Sequence, residues 1–390
     1  MFELYKNIYL LLVILVLNHE ANSSLISIDF SRKINSSYIN LPEQVSLIGN
    51  LKANNKLEKA SYIGKGKLIG PECMAFDNND NLYTGIGNGF IYKINTKNIS
   101  DITIVTLTGP QTQDFCENKN FMEECGRPFG LRFKENDYEN LYVADAFYGI
   151  LKINLKTGLK TVVIDSKDKR FGGKPMKFTN DLDFDQDTIY FIDTSYERGA
   201  NDFLFEYLEA QPRGRLFSYN EKTNELNLLL ENLYFPNGLQ LTPDKNSILI
   251  NENTMSRILE YFIKGDQKGN TRVFAITPGF GDTIRLTERN TLLVPIGVSR
   301  INKLFSVLDL LGKYPTIRNI IVKVLDFGYV LSVIPKYGLI AEYDLKGNPI
   351  NSWHDPSNKI ISSISTGITH KNKLYLGSLL SDFLSVLDLD

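Results

Sequence analysis

Gly70-Pro71-Glu72-Cys73-Met74-Ala75-Phe76 opens the unit whose repetition decides the fold. Its apolar strand entry leads into the polar turn Asn78-Asn79-Asp80, a second strand centred on Leu82-Tyr83, and then a third, Phe90-Ile91-Tyr92-Lys93-Ile94. Period-two apolar patterning bounded by Asn and Asp turns reads as antiparallel strands. The phrase returns at Gly126-Arg127-Pro128-Phe129-Gly130, Phe178-Thr179-Asn180-Asp181-Leu182, Phe235-Pro236-Asn237-Gly238-Leu239, Phe280-Gly281-Asp282-Thr283-Ile284 and Ser362-Ser363-Ile364-Ser365-Thr366. Spacing between units is roughly 45 to 80 residues, irregular but sustained.

A blade of this kind buries its faces only against neighbouring blades, so the pattern predicts an all-β chain closed into a six-bladed β-propeller. One propeller domain over residues 60–390 is expected, preceded by a lead-in over 24–59. A stretch at about 301–325 breaks the repeat: Leu304, Phe305, Val307, Leu308 and Leu311, then Ile317, Ile320, Ile321 and Val324 fall at helical spacing around Gly312 and Pro315. It predicts a short helical insert in the fifth blade, either a packed cap or an apolar patch able to touch a membrane surface.

The chain has 390 residues, 43% of them hydrophobic, and a formal net charge of −2. With no run of Lys or Arg, no electrostatic case for nucleic acid exists. Near the N-terminus, Ile8 to Leu17 is an apolar run preceded by Lys6 and followed by small residues at Ala21 and Ser23. Its length fits a secretory h-region better than a spanning helix, so residues 1–23 read as a signal peptide or a short membrane anchor. Either delivers the body to the secretory pathway, as a secreted or cell-surface protein.

Cys116 and Cys125 lie nine residues apart in a polar loop, and in an oxidising compartment they read as a disulfide, the alternative being two free thiols. Cys73 reads as a buried core thiol. Asn35 and Asn98 stand in glycosylation sequons, as does Asn22 beside the expected cleavage point.

The first strand of each blade lines the axis, so its entry residues converge from distant parts of the chain. At equivalent positions stand Glu72, Asn180, Asn237 and Asp282. Each alone could be a turn former. In phase across repeats they are a set of hard oxygen donors suited to Ca²⁺, with none of the imidazole or thiolate that zinc would want. Asp145 and Asp193 follow the second strands at equivalent phase and read as turn caps. Arg285 either pairs with a carboxylate or receives an anionic substrate. His354 reads as part of a turn and His370 as exposed. No Gly-x-Ser-x-Gly elbow and no phosphate-binding loop is present.

Several of these segments together resemble the strictosidine synthase-like family of six-bladed calcium propellers, in its animal membrane-associated branch. They are Gly70-Pro71-Glu72, Cys125-Gly126-Arg127-Pro128, Val143-Ala144-Asp145-Ala146, Asn180-Asp181-Leu182, Phe235-Pro236-Asn237-Gly238, Pro278-Gly279-Phe280-Gly281-Asp282, His354-Asp355-Pro356 and Leu374-Tyr375-Leu376-Gly377-Ser378. The resemblance implies that Glu72, Asn180, Asn237 and Asp282 hold Ca²⁺. It also implies arylesterase-like hydrolysis of a small-molecule ester or lactone, with Glu72 and Asp282 as the catalytic candidates. Three departures limit it: Thr283 stands where the family usually has Asn, Phe129 where related paraoxonases carry a histidine, and Ser362-Ser363-Ile364-Ser365 lacks the carboxylate of the true synthase. Synthase chemistry is therefore not expected. The alternative to a hydrolase is a non-catalytic, glycosylated cell-surface or secreted propeller whose calcium is structural.

Overall fold

The structure is a computed structural model and describes residues 34–117, 122–301, 306–324 and 336–389. The leader over 1–23, the first ten residues of the lead-in, and Leu304 and Phe305 of the insert lie outside the described residues.

Five sheets run outward from the axis in chain order. The first holds Cys73–Phe76, Asn81–Gly85, Phe90–Asn95 and Ile102–Leu107; the second holds Pro128–Lys134, Asp137–Asp145, Gly149–Asn154 and Lys160–Asp165. The third holds Thr179–Asp185, Thr188–Asp193, Gly214–Asn220 and Glu225–Leu233, and the fourth Pro236–Leu241, Ser247–Glu252, Arg257–Phe262 and Thr271–Ile276. In the fifth, Leu292–Ser299, Gly338–Tyr343 and Pro349–Asp355 lie outside an interrupted inner strand. The sixth combines Thr366–His370, Lys373–Gly377 and Leu384–Asp388 with an outermost strand from the other end of the chain, Ser61–Ile63. There Ser61 pairs with Val386 and Ile63 with Leu384, antiparallel.

Each innermost strand packs on the next, and that of the sixth blade returns to that of the first, so the ring is closed. Inner strands are buried on both faces because each sheet is sandwiched between two others, whereas outer strands such as Glu225–Leu233 are largely open to solvent. The core is therefore distributed between blades. Between the second and third, Tyr142, Ile150, Phe184, Phe191 and Phe217 interlock. Glycine is required where inner strands approach most closely: a Cβ on Gly238 would meet the Ile284 nitrogen at 2.6 Å and the Asp282 carbonyl at 2.7 Å.

Short helices dress one rim. α1 (Gln113–Glu117) and α2 (Met122–Cys125) carry the expected Cys116–Cys125 disulfide. α3 (Phe203–Glu209) interrupts the third blade, a helix the sequence reading did not anticipate. α4 (Val307–Leu311) and α5 (Pro315–Val324) form the insert of the fifth blade. Leu204 and Leu208 of α3 pack on Val322 of α5, and buried Arg318 donates to the carbonyls of Leu208 and Ser37. Cap and lead-in are thereby tied together.

Two histidine expectations need correction. His354 is not in a turn but in the strand Pro349–Asp355, fully buried, with Nδ1 2.9 Å from the Tyr337 hydroxyl and Nε2 2.9 Å from Ser352 Oγ. Burial first, and the charge of Lys56 second, lowers its pKa from 6.5 to about 4. His370 is half-buried rather than exposed; its ring stacks on Phe76 and its Nε2 lies 2.9 Å from Asp80 Oδ1. It ends the inner strand Thr366–His370, on the opposite end from Ser365.

Candidate functional site

The four oxygen-bearing side chains picked out by repeat phase do come together. Glu72, Asn237 and Asp282 line one cavity of about 200 Å³ at the axis, and Asn180 joins them by donating from Nδ2 to Asn237 Oδ1 at 2.7 Å. Each sits at the start of an inner strand, where the backbone departs from ladder pairing: register shifts fall at Thr179/Leu182 and Pro236/Gly238. In the fifth blade the inner strand breaks completely, into Gly279–Gly281 and Arg285–Leu286, around Asp282. Such irregularities re-aim side chains that a regular pleat would turn sideways.

Neighbouring blades hold this irregular backbone. Asn251 Nδ2 donates to the Asp282 carbonyl at 2.6 Å and Asn253 Nδ2 to the Gly281 carbonyl at 2.7 Å. Thr283, which stands where the family usually has Asn, donates its hydroxyl to the Ser365 carbonyl at 2.8 Å and so ties the fifth blade to the sixth. Thr194 Oγ1 bridges Asn180 to the Pro236 carbonyl, accepting at 3.2 Å and donating at 2.7 Å. Phe235 precedes Asn237 with φ of 51°, a left-handed conformation that costs a bulky residue roughly 1–3 kcal/mol. Its ring meets Phe178 edge-on at 5.7 Å, so aromatic packing holds the strained turn.

The electrostatics are those of an anion-rich, desolvated cluster. Arg127 Nη2 pairs with Glu72 Oε2 at 2.8 Å, both side chains being buried. Burial nevertheless dominates, pushing the Glu72 carboxyl up to about 7 against the pull of Arg127. Asp282 is raised well above the ordinary carboxylate range, by burial and then by the charge of Glu72. A carboxyl raised by burial beside a second one raised by burial and by its neighbour's charge marks a place where positive charge is missing. Asn180 Oδ1 and Asp282 Oδ1 are also buried with no hydrogen-bond partner among the described residues. Orphaned buried acceptors cost about 1–3 kcal/mol each.

These observations fit a hard cation. Two carboxylates and two carboxamides are a partial calcium shell that waters or substrate can complete. Among the described residues no group of three or more His, Cys, Asp or Glu gathers as a metal site, so only the carboxamides make this set large enough.

The other polar groups near the axis are structural. Arg285 takes the first of its two expected roles, a buried bidentate pair with Asp181 at 2.7 and 3.0 Å. Asp145 accepts from the backbone nitrogens of Arg127, Phe147 and Tyr148, and Asp193 pairs with Arg215. Cys73 is a buried free thiol whose Sγ donates to the Pro128 carbonyl, and burial raises its pKa. Asn35 and Asn98 are both exposed, Asn98 in the turn after Phe90–Asn95.

The rest of the cavity wall went unread in the sequence. Phe129, Phe178, Phe235 and Phe280 come from blade entries, while Phe203 and Tyr207 reach in from α3. Phe129 also covers the Arg127 guanidinium, 4.9 Å from its ring centre. Neither described histidine lines this wall.

The strictosidine synthase profile matches residues 180–266, and the strictosidine synthase-like N-terminal profile matches residues 49–94. Adipocyte plasma membrane-associated protein of Danio rerio is 36% identical over 360 residues, covering 91% of this chain and 84% of that one. The chain belongs to the strictosidine synthase-like family. Other members are similar across the same span: the Homo sapiens adipocyte plasma membrane-associated protein is 35% identical over 90% of this chain and 83% of its own. Protein STRICTOSIDINE SYNTHASE-LIKE 3 of Arabidopsis thaliana is 31% identical over 90% of each. Among solved structures, a gluconolactonase from Xanthomonas campestris superposes with a TM-score of 0.56 at 13% identity, covering 86% of this chain and 91% of that one. A calcium-binding regucalcin from Agrobacterium tumefaciens gives 0.55 at 11%, covering 85% and 94%. At such identities the likeness is one of fold alone, that of a β-propeller.

Proposed function

We propose that this chain is a calcium-dependent hydrolase of small esters or lactones, working in a lumenal or extracellular compartment. The supporting observation is the pair of orphaned acceptors, Asn180 Oδ1 and Asp282 Oδ1, beside Glu72 and Asn237 at the floor of an aromatic cavity. Glu72, Asn180, Asn237 and Asp282 would hold the ion. Bound there, calcium supplies Lewis acidity toward an ester carbonyl and lowers the pKa of a bound water.

The chain's own residues do the rest. Phe129, Phe178, Phe235 and Phe280 present an apolar wall that accepts an aryl or acyl group and excludes bulk water. Arg127 orients Glu72 through Oε2 and covers part of its charge. Asp282, whose carboxyl burial and then the charge of Glu72 raise well above the ordinary carboxylate range, would take the proton of an attacking water. The extracellular assignment is supported by the Cys116–Cys125 disulfide and by the plasma-membrane name of the animal relatives.

One observation favours a second reading. Glu72 already pairs with Arg127, and neither described histidine lines the cavity, so calcium could serve only to hold the blades together in a binding protein. Turnover of phenyl acetate and of small lactones, measured with and without chelator and in Glu72→Gln, separates the two. Hydrolysis lost in both cases supports the enzyme; hydrolysis unchanged by either removes the metal mechanism. Absence of turnover combined with calcium-dependent stability leaves the binding protein.

A further inference from the structure

The aromatic cavity is not the only concavity on its rim. A second, larger one of about 690 Å³ lies between the fifth and sixth blades and shares three wall residues with the first: Ser363, Leu379 and Leu380. The two are therefore one continuous concave surface with two chemistries. The first is walled by phenylalanines. The second is walled by the hydroxyls of Ser362, Ser363, Ser378 and Ser381, by the edge-on pair Tyr62 and Phe383 (4.6 Å), and by two lysines. Lys65 sits with Nζ 4.1 Å above the Tyr62 ring, and Lys336, exposed, lines the same groove.

Neither lysine forms an ion pair with any described residue, although Asp382 lines the same groove. Most other charges close to the cavity are matched: Arg127 with Glu72, Arg285 with Asp181, Arg213 with Glu206 and Glu209. Among the described residues the groove thus carries an unmatched positive charge, two lysines against one aspartate, beside hydroxyl donors and an aromatic face. It is complementary to a carboxylate or phosphate group on a short polar tail.

We infer that the substrate is an anionic amphiphile: an ester or lactone whose apolar aryl or acyl portion fills the phenylalanine cavity and whose acidic group lies in the Ser-Lys groove. This inference rests on the hydrolase reading for the fate of the ester, but not for the recognition of the tail. Ser363, at φ 49° on the shared wall, sets the passage between the two compartments; its carbonyl accepts from Ser378 Oγ at 2.8 Å.

The test uses a matched pair of esters, phenyl hexanoate and monophenyl adipate, which differ only in a terminal carboxylate, and the two corresponding phenyl ketones for equilibrium binding by calorimetry. One partly exposed ion pair is worth up to about 1 kcal/mol, so the anionic member should bind about fivefold more tightly, with the preference shrinking at high salt. In Lys65→Ala/Lys336→Ala the preference should vanish, and in Lys65→Arg/Lys336→Arg it should persist. Equal binding of the two ketones, or a preference that survives the double alanine substitution, overturns the groove as an anion subsite. A lysine-dependent binding preference without turnover of either ester supports the groove and overturns only the hydrolase.

Discussion

Asn180 donates its amide hydrogen to Asn237 Oδ1 at 2.7 Å and thereby leaves its own Oδ1 buried without a partner. The contact joins the third blade to the fourth, and it fixes which end of the Asn180 carboxamide faces the cluster. An amide held in that sense is prepared to accept, and the Asp282 Oδ1 across the axis is in the same condition. The expected partner of both is a cation.

Calcium should stabilise the whole ring. A ligand present at a hundredfold its Kd and bound only to the folded state contributes about 2.7 kcal/mol, which for a chain of this size corresponds to roughly 3 to 4 °C in Tm. Scanning calorimetry with calcium and with chelator measures it. Asn180→Ala or Asp282→Asn should abolish most of the difference; a Tm indifferent to chelation would contradict the donor set.

Arg127→Met should destabilise more than a typical surface change. It leaves the Glu72 carboxylate buried without its counter-charge, and removing one partner of a buried pair costs about 3–5 kcal/mol. Urea denaturation of the metal-free protein reads the loss. The double variant with Glu72→Gln should recover part of it.

Acid should weaken the fold partly through His354. Its folded pKa of about 4 lies below the ordinary 6.5, so the unfolded chain binds the proton more readily. The contribution is fully present above pH 6.5 and is lost as pH falls toward 4. Compared with the parent, His354→Gln should show a shallower decline of stability over that window. Parallel curves would mean that the imidazole titrates normally.

Opening the disulfide by Cys116→Ser/Cys125→Ser should cost about 2–3 kcal/mol for a loop of this length. Because Arg127 follows Cys125 closely, the change should also weaken calcium binding, measured by competition with a chromophoric chelator.

Much of this site could be read before any coordinates, because a propeller converts sequence phase into spatial convergence. Glu72, Asn180, Asn237 and Asp282 were found as equivalent positions in repeats, and the ring brings equivalent positions to one axis. The disulfide was legible for a different reason: two cysteines close in a polar loop have little choice of partner. What stayed hidden lacked both periodicity and locality. The Arg127 pairing with Glu72 spans 55 residues, and nothing in either segment announces it. The histidines were misplaced because polar flanks were read as turns, while burial against Tyr337 and stacking on Phe76 are tertiary facts. α3 escaped because its single short amphipathic turn sequence carries too few periods to rise above the strand pattern. With it went Phe203 and Tyr207, and hence the roof of the cavity.

The sixth sheet is built from both ends of the propeller: Ser61–Ile63 is among the first parts of the domain to be synthesised, and Leu384–Asp388 the last. A nascent chain therefore carries its fastening strand unpaired while the five blades between are made, with the edge of the growing ring exposed beside it. Earlier blades can stack as they emerge, but the circle is joined only once Leu384–Asp388 is free to pair with Ser61–Ile63. The closure that holds the axial cluster is therefore set by the pairing of the two strands farthest apart in the domain.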